Sequence, residues 1–186
     1  MSEHGLAIKD GSKIGEYRII SQIGSGGSSI IYKGKSSSGQ VLALKELIPF
    51  DGAAKREGSK IIPYTQSGAK DFEDLKGILL NADKLIRTIK HKNILNTYEV
   101  IEGNNTLYMV MDLVEGDSLE DYINNQIFEG NEVDFYSMFK GLLSGVKELH
   151  SMSVIHRDIK PANLIRKDNG DIVLIDFGSI STLDRG

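Results

Sequence analysis

The sequence predicts an α+β chain in two parts, an antiparallel sheet with one main helix followed by a mainly helical half. Three observations carry this expectation. Short apolar runs rich in β-branched residues and punctuated by Gly, Ser and Asn recur between Tyr17 and Val114. One long segment of helical spacing, Asp71 to Lys90, interrupts them, and beyond Glu115 the apolar pattern itself changes to helical spacing.

The elements follow in order. YRIISQI and SIIYKGK flank a glycine-serine turn, and SSSG leads on to QVLALKEL, which makes three strands between Tyr17 and Leu47. Pro49 to Gly68 is polar and punctuated, and reads as a long loop. Leu75, Ile78, Leu79, Ala82, Leu85, Ile86 and Ile89 form the stripe of the main helix. NTYEVIEGNNTLYMVMDLV reads as a hairpin turning at Gly103-Asn104-Asn105. Ser118 followed by Asp121 is a capping pattern for a short helix over LEDYI. Phe135, Met138, Phe139, Leu142, Val146 and Leu149 line a second long helix. Within it Gly141 and Gly145 each cost about 1 kcal/mol relative to alanine, and close packing against a neighbouring helix is the expected reason. The divisions expected are a tail over 1–16, a sheet-bearing part over 17–114 and a helical part over 115–186, with the hinge around Asp112 to Gly116.

Bulk properties narrow the function. The chain has 186 residues, 40% hydrophobic and 26% charged, enough for one domain or two small lobes of globular composition. No apolar run approaches membrane-spanning length and no signal-peptide core opens the chain, so a cytoplasmic location is expected. The absence of cysteine excludes disulfides, thiolate catalysis and cysteine-ligated metal. The net charge of −4, with both signs interspersed, argues against a nucleic-acid surface. Four dispersed histidines suggest no zinc site.

Three stretches carry chemistry. In IGSGGSSIIY, Gly24 and Gly26 can adopt backbone angles closed to other residues and let amides approach a phosphate; a ligand-free hairpin turn fits the same residues. In VLALKEL, Val41, Ala43 and Lys45 share a strand face, so Lys45 either snorkels to solvent or meets an anion. The strongest is HRDIKPAN, residues 156 to 163, followed by IVLIDFG ending at Gly178. A two-residue turn at Asn169-Gly170 between them places Asn163 opposite Asp176, an amide oxygen and a carboxylate suited to Mg²⁺. Asp158 and Lys160 lie just upstream.

The ordered set of glycine loop, strand lysine, HRD loop and DFG resembles the protein-kinase signature. From Tyr17 to Gly178 the chain resembles the eukaryotic-like (Hanks-type) Ser/Thr kinases of bacteria, in the GSGGSS loop and in the long segment after Lys45. Lys160 after HRDI matches the Ser/Thr rather than the tyrosine group. The resemblance implies a protein-kinase-like fold with an antiparallel-sheet N-lobe and a truncated, mainly helical C-lobe. It also implies ATP and Mg²⁺, or Mn²⁺, as cofactors and a protein as substrate. By the same resemblance Gly24, Ser25, Gly26 and Gly27 cover the phosphates and Lys45 holds the α and β phosphates. Asn163 and Asp176 coordinate the metal, Asp158 serves the substrate hydroxyl, and Lys160 stabilises the transferring group. Ile23, Ile31, Ala43, Met111 and Ile165 wall the adenine, with main-chain groups of Asp112 to Val114 on its polar edge.

Three departures qualify it. Ser29 stands where the third loop glycine usually sits. Ala82 occupies the helix position that normally holds the glutamate partner of Lys45; Asp83 is rotated about 100° away, and Glu73 serves only if the helix docks differently. Lys45 is then expected to pair with Asp176 or nucleotide. The activation segment stops after DFGSISTLDRG, as in a fragment or a minimal kinase. Apolar surface on the Phe135–Leu149 helix then favours self-association or a covering partner. The alternative function is a nucleotide-binding pseudokinase or a docking lobe without transfer.

Overall fold

The computed structural model describes residues 5–50, 52–125 and 132–182. The chain folds as two compact units, Met1–Asp83 with Thr97–Leu113, and Lys84–Asn96 with Val114–Gly186.

The first unit is built on six strands: β1 (Lys13–Ile14), β2 (Tyr17–Gly26), β3 (Ser29–Lys35), β4 (Val41–Leu47), and β7 (Thr97–Gly103) and β8 (Thr106–Met111). They form one antiparallel sheet in the order β1-β2-β3-β4-β8-β7. Alternation explains which face is core: Ile30, Tyr32, Leu42, Leu44, Tyr108 and Val110 are buried together with Ile19. Gly34 belongs to this face because a Cβ there would lie 2.5 Å from Cδ1 of Leu44. The β7–β8 turn uses Asn104 and Asn105 at φ 56° and 59°, the left-handed angles a mirror-image hairpin turn demands and asparagine tolerates.

Two expectations are corrected here. The polar segment read as a loop contains a second hairpin, β5 (Ala54–Glu57) with β6 (Lys60–Pro63). Its strands carry too few apolar residues to announce themselves, and tertiary contacts hold them. The main helix, α1, spans Gln66–Ile86 rather than 71–90. Thr65 caps it through Gly68 N–H donating to Oγ1 at 3.0 Å, and the chain turns at Ile89 N–H to Ile86 O. The segment before Tyr17 is also structured: Ile8 and Ile14 belong to the core.

In the second unit, β9 (Asp117–Ser118) leads into α2 (Leu119–Asn125), and α3 covers Glu132–Ser151. The short strands β10 (Val154–Ile155), β11 (Leu164–Arg166), β12 (Ile172–Leu174) and β13 (Ser181–Thr182) follow. They make two small sheets, β12-β11-β9 and β10-β13. Ser118 caps α2 as its sequence pattern predicts, accepting from Asp121 N–H at 3.0 Å. Gly116 sits at φ 142° with Arg166 O 2.1 Å from the position a Cβ would take, so only glycine permits this approach to β11. The glycines of α3 do allow close packing, but against the 93–94 turn rather than a helix. A Cβ at Gly141 would meet Nδ2 of Asn93 at 2.8 Å, and one at Gly145 would meet Ile94 at 3.3 Å. Asn93 is itself buried and donates to Ile172 O at 2.7 Å.

Candidate active site

Register gathers the candidate residues of the first unit on one sheet face. Gly24 pairs with Ile31 and Ile31 with Lys45; one step on, Lys33 pairs with Ala43 and Ala43 with Met111. Directly paired residues point to the same side. Gly24, Ile31, Ala43, Lys45 and Met111 therefore share the face opposite the core, while Ile23 is exposed. Gly26 pairs with Ser29, so Gly27 and Ser28 form the turn, and Ser28 O accepts from Ile48 N–H at 2.9 Å. Ser25 pairs with Ile30 within the same hairpin.

The glycines of this turn do not use left-handed angles, contrary to one reason for expecting them: none of Gly24, Gly26 and Gly27 has positive φ. Nor does packing require them. A Cβ at Gly24 or Gly26 would come no closer than 3.7 Å or 3.8 Å to any side chain, and one at Gly27 would meet nothing within 4 Å. The protein itself makes no demand for glycine here.

A separate set of candidate residues lies in the second unit and is preorganised by hydrogen bonds. Nδ2 of the buried Asn163 donates to Asp158 O at 2.8 Å and to its carboxylate Oδ2 at 2.9 Å. Nζ of Lys160 reaches the same Oδ2 at 3.0 Å. The Lys160 hydrogen bond is the largest influence holding the Asp158 carboxyl below its ordinary range, with the Asn163 hydrogen bond adding to it. Asp158 in turn raises Lys160. A carboxylate and an ammonium in fixed charge states result.

His156 is buried and supports this loop. Its Nδ1 accepts from Asp158 N–H at 3.3 Å and Nε2 stands 3.2 Å from Ile175 O, so the neutral Nε2–H tautomer satisfies both contacts. Burial lowers its pKa, which keeps it neutral. Its ring also meets Phe177 edge-on at 5.1 Å. Arg157 and Asp176 both adopt left-handed φ, 64° and 62°. Arg157 Nε donates to Ser179 O at 2.7 Å, and β10 pairs with β13, two ties between the HRD and DFG segments that no sequence pattern announced.

The hairpin between the motifs closes differently from expectation. Leu164 pairs with Leu174 and Arg166 with Ile172, and Gly170, at φ 82°, donates to Lys167 O. The left-handed glycine therefore makes a three-residue turn, which shifts the register by one residue. Asn163 O accepts from Ile175 N–H at 2.9 Å, so Ile175 rather than Asp176 stands opposite it. Asp176 is the next residue, and its charge acts on Asp158 and His156. Ile165, expected at the adenine, lies in β11 between Val173 and Ser118.

The donor chemistry fits a divalent metal. Nδ2 of Asn163 is occupied with Asp158, which leaves its amide oxygen for a metal, and Asp176 would add a carboxylate. Among the described residues no cluster of three or more His, Cys, Asp or Glu forms a metal cage. Mg²⁺ is commonly held by one or two carboxylates together with substrate phosphates, which matches so sparse a set.

The helix acids also separate. Glu73 is exposed and pairs with Lys76 at 2.7 Å, so it faces solvent. Ala82 and Asp83 are both buried.

The order of these groups along the chain and their local geometry define a protein kinase domain. The chain belongs to that family, whose model matches residues 17–186. Cyclin-dependent kinase 7 of Dictyostelium discoideum is 28% identical over 165 residues, 88% of this chain and 41% of that protein. Probable serine/threonine-protein kinase zyg-1 of Caenorhabditis briggsae is 28% identical over 179 residues, 94% of this chain and 22% of that protein. The solved structure "PpkA-294 apo form" is 26% identical with a TM-score of 0.88, covering 94% of this chain and 62% of that one. The chain thus spans under two thirds of each of these relatives. The match establishes the protein-kinase-like fold, with an antiparallel-sheet N-lobe and few helices.

Proposed function

We propose that this chain is the ATP-binding and catalytic part of a protein serine/threonine kinase of the eukaryotic-like bacterial type, working in the cytoplasm. The observation that carries the reading is the Asp158 carboxylate held at once by Asn163 and Lys160. A protein that only bound nucleotide has little use for it. Asp158 orients the substrate hydroxyl and accepts its proton, and Lys160, already beside it, neutralises charge on the transferring group. Lys45 and the amides of Ser25, Gly26 and Gly27 hold the phosphates. Ile23, Ile31, Ala43, Met111 and Ile165 wall the adenine, and the main chain of Asp112 to Val114 serves its polar edge. Asn163 and Asp176 would hold Mg²⁺ or Mn²⁺, which supplies charge neutralisation between the phosphates.

A second reading, a nucleotide-binding pseudokinase, is favoured by Ala82 at the usual glutamate position. Transfer of labelled γ-phosphate from ATP with Mg²⁺ or Mn²⁺, to the chain itself and to a generic protein, separates the two. Label that disappears in Asp158→Asn establishes the kinase; no label from a folded, ATP-binding sample means a pseudokinase or a piece that needs the rest of a longer kinase for transfer.

A further inference from the structure

Glu46 follows Lys45 in β4 and points to the opposite face, into the core. It is completely buried, yet three donors surround it. Tyr32 from β3 donates to Oε2 at 2.7 Å, Tyr108 from β8 to Oε1 at 2.6 Å, and Nη2 of Arg56 from β5 reaches Oε2 at 2.8 Å. Tyr108 is the direct cross-strand partner of Glu46, and Tyr32 lies two residues along β3 from its partner Ile30. The carboxylate therefore fastens β4 to both neighbouring strands one residue from Lys45.

Arg56 is the cation in this cluster, and its side chain is only 6% exposed. Its other nitrogens are engaged as well, Nη1 with Ser59 O at 2.6 Å and Nε with Leu6 O. Ile8 N–H donates to the Tyr32 hydroxyl at 3.1 Å. The titratable and charged groups facing Glu46 are these two phenols and Arg56. Burial first, and the Glu46 charge next, push both phenols well above their ordinary range, so neither supplies a proton at neutral pH. Removing the guanidinium leaves a buried carboxylate with no opposite charge, a strongly unfavourable state.

We propose that Arg56, on the hairpin inserted between β4 and α1, is a positioning residue for ATP binding, acting through Glu46 to fix the strand segment that carries Lys45. The proposal rests on the assignment of Lys45 to the phosphates. The test is the Kd for ATP, with the melting temperature of each sample, in wild type, Arg56→Gln, Arg56→Lys and the double variant Arg56→Gln/Glu46→Gln. Arg56→Gln should weaken ATP binding on the order of tenfold, as a misplacement well under about 1 Å can do. Arg56→Lys should recover part of the loss, and the double variant most of it, since its buried groups are neutral. A lowered melting temperature with wild-type ATP affinity in Arg56→Gln would mean a structural role alone and overturn the proposal. If Arg56→Gln does not fold, Arg56→Lys decides: folding with ATP binding weakened several-fold supports the proposal, and folding with wild-type affinity overturns it. Wild type that binds no ATP would instead refute the function on which it rests.

Discussion

Replacing Gly26 by alanine should move stability and ATP affinity in opposite directions. Gly26 has no positive φ, so a side chain meets no backbone strain. Its Cβ would contact only Ser29 Oγ, at an ordinary 3.8 Å. Removing glycine's freedom in the unfolded chain then stabilises the fold by about 0.4–1 kcal/mol. For a chain of this size that raises the melting temperature by about 1–4 °C. On the proposed function, the same methyl group would stand where the turn amides approach a phosphate, and a loss of about 1.4 kcal/mol there is tenfold in Kd. Thermal melting without nucleotide, beside calorimetric ATP titration, measures both quantities. A variant that melts lower, or that binds ATP as wild type does, refutes the reasoning. Gly34→Ala is the contrast, because its Cβ would press 2.5 Å from Leu44 and must lower the melting temperature.

Other positions give separate tests. Gly116→Ala should destabilise the chain by about 3 kcal/mol in urea unfolding, since a side chain there collides with Arg166 O from a left-handed backbone. The pKa of His156 is lowered by burial from its ordinary 6.5, so the unfolded chain binds the proton first. Its contribution to stability is therefore complete above that value and lost as pH falls through the folded value. Unfolding free energies measured toward about pH 5 should decline in wild type and be flatter in His156→Gln. Ala82→Glu, which returns a carboxylate to the position usually paired with the strand lysine, should raise γ-phosphate transfer; an unchanged or lower rate counts against the importance of that pair.

The legible parts of this protein were those governed by local chemistry. Strand β3 was readable residue for residue because the buried Ile30, Tyr32 and Gly34 alternate with half-buried or exposed neighbours, and the Asn104-Asn105 turn because few other residues tolerate its angles. Asp158, Lys160 and Asn163 lie close along the chain and so near one another in space, but the contact expected for Asn163 was with Asp176 and the one observed is with Asp158. What escaped depended on distant partners. The β5–β6 hairpin is polar and is held in part by the pairing of Arg56 with Glu46. An acid in step with Leu42 and Leu44 on an apolar face was the signal for that pairing. The shifted hairpin register turned on whether Gly170 closed a two- or three-residue turn, a choice that one glycine leaves open. The glycines of α3 declared close packing, but not that its partner was the side chain of Asn93.

The buried Ile8 and Ile14 bear on where an expressed fragment of this protein can begin. The family match starts at residue 17, yet both isoleucines belong to the core ahead of it. Burying such a side chain contributes about 1.5–3 kcal/mol, so trimming to the family boundary removes about 3 kcal/mol or more. It also takes away the Leu6 carbonyl from Arg56. Against a total stability of roughly 5–15 kcal/mol, a protein trimmed at Tyr17 would refold poorly and precipitate on expression, and its inactivity would reveal nothing about its chemistry.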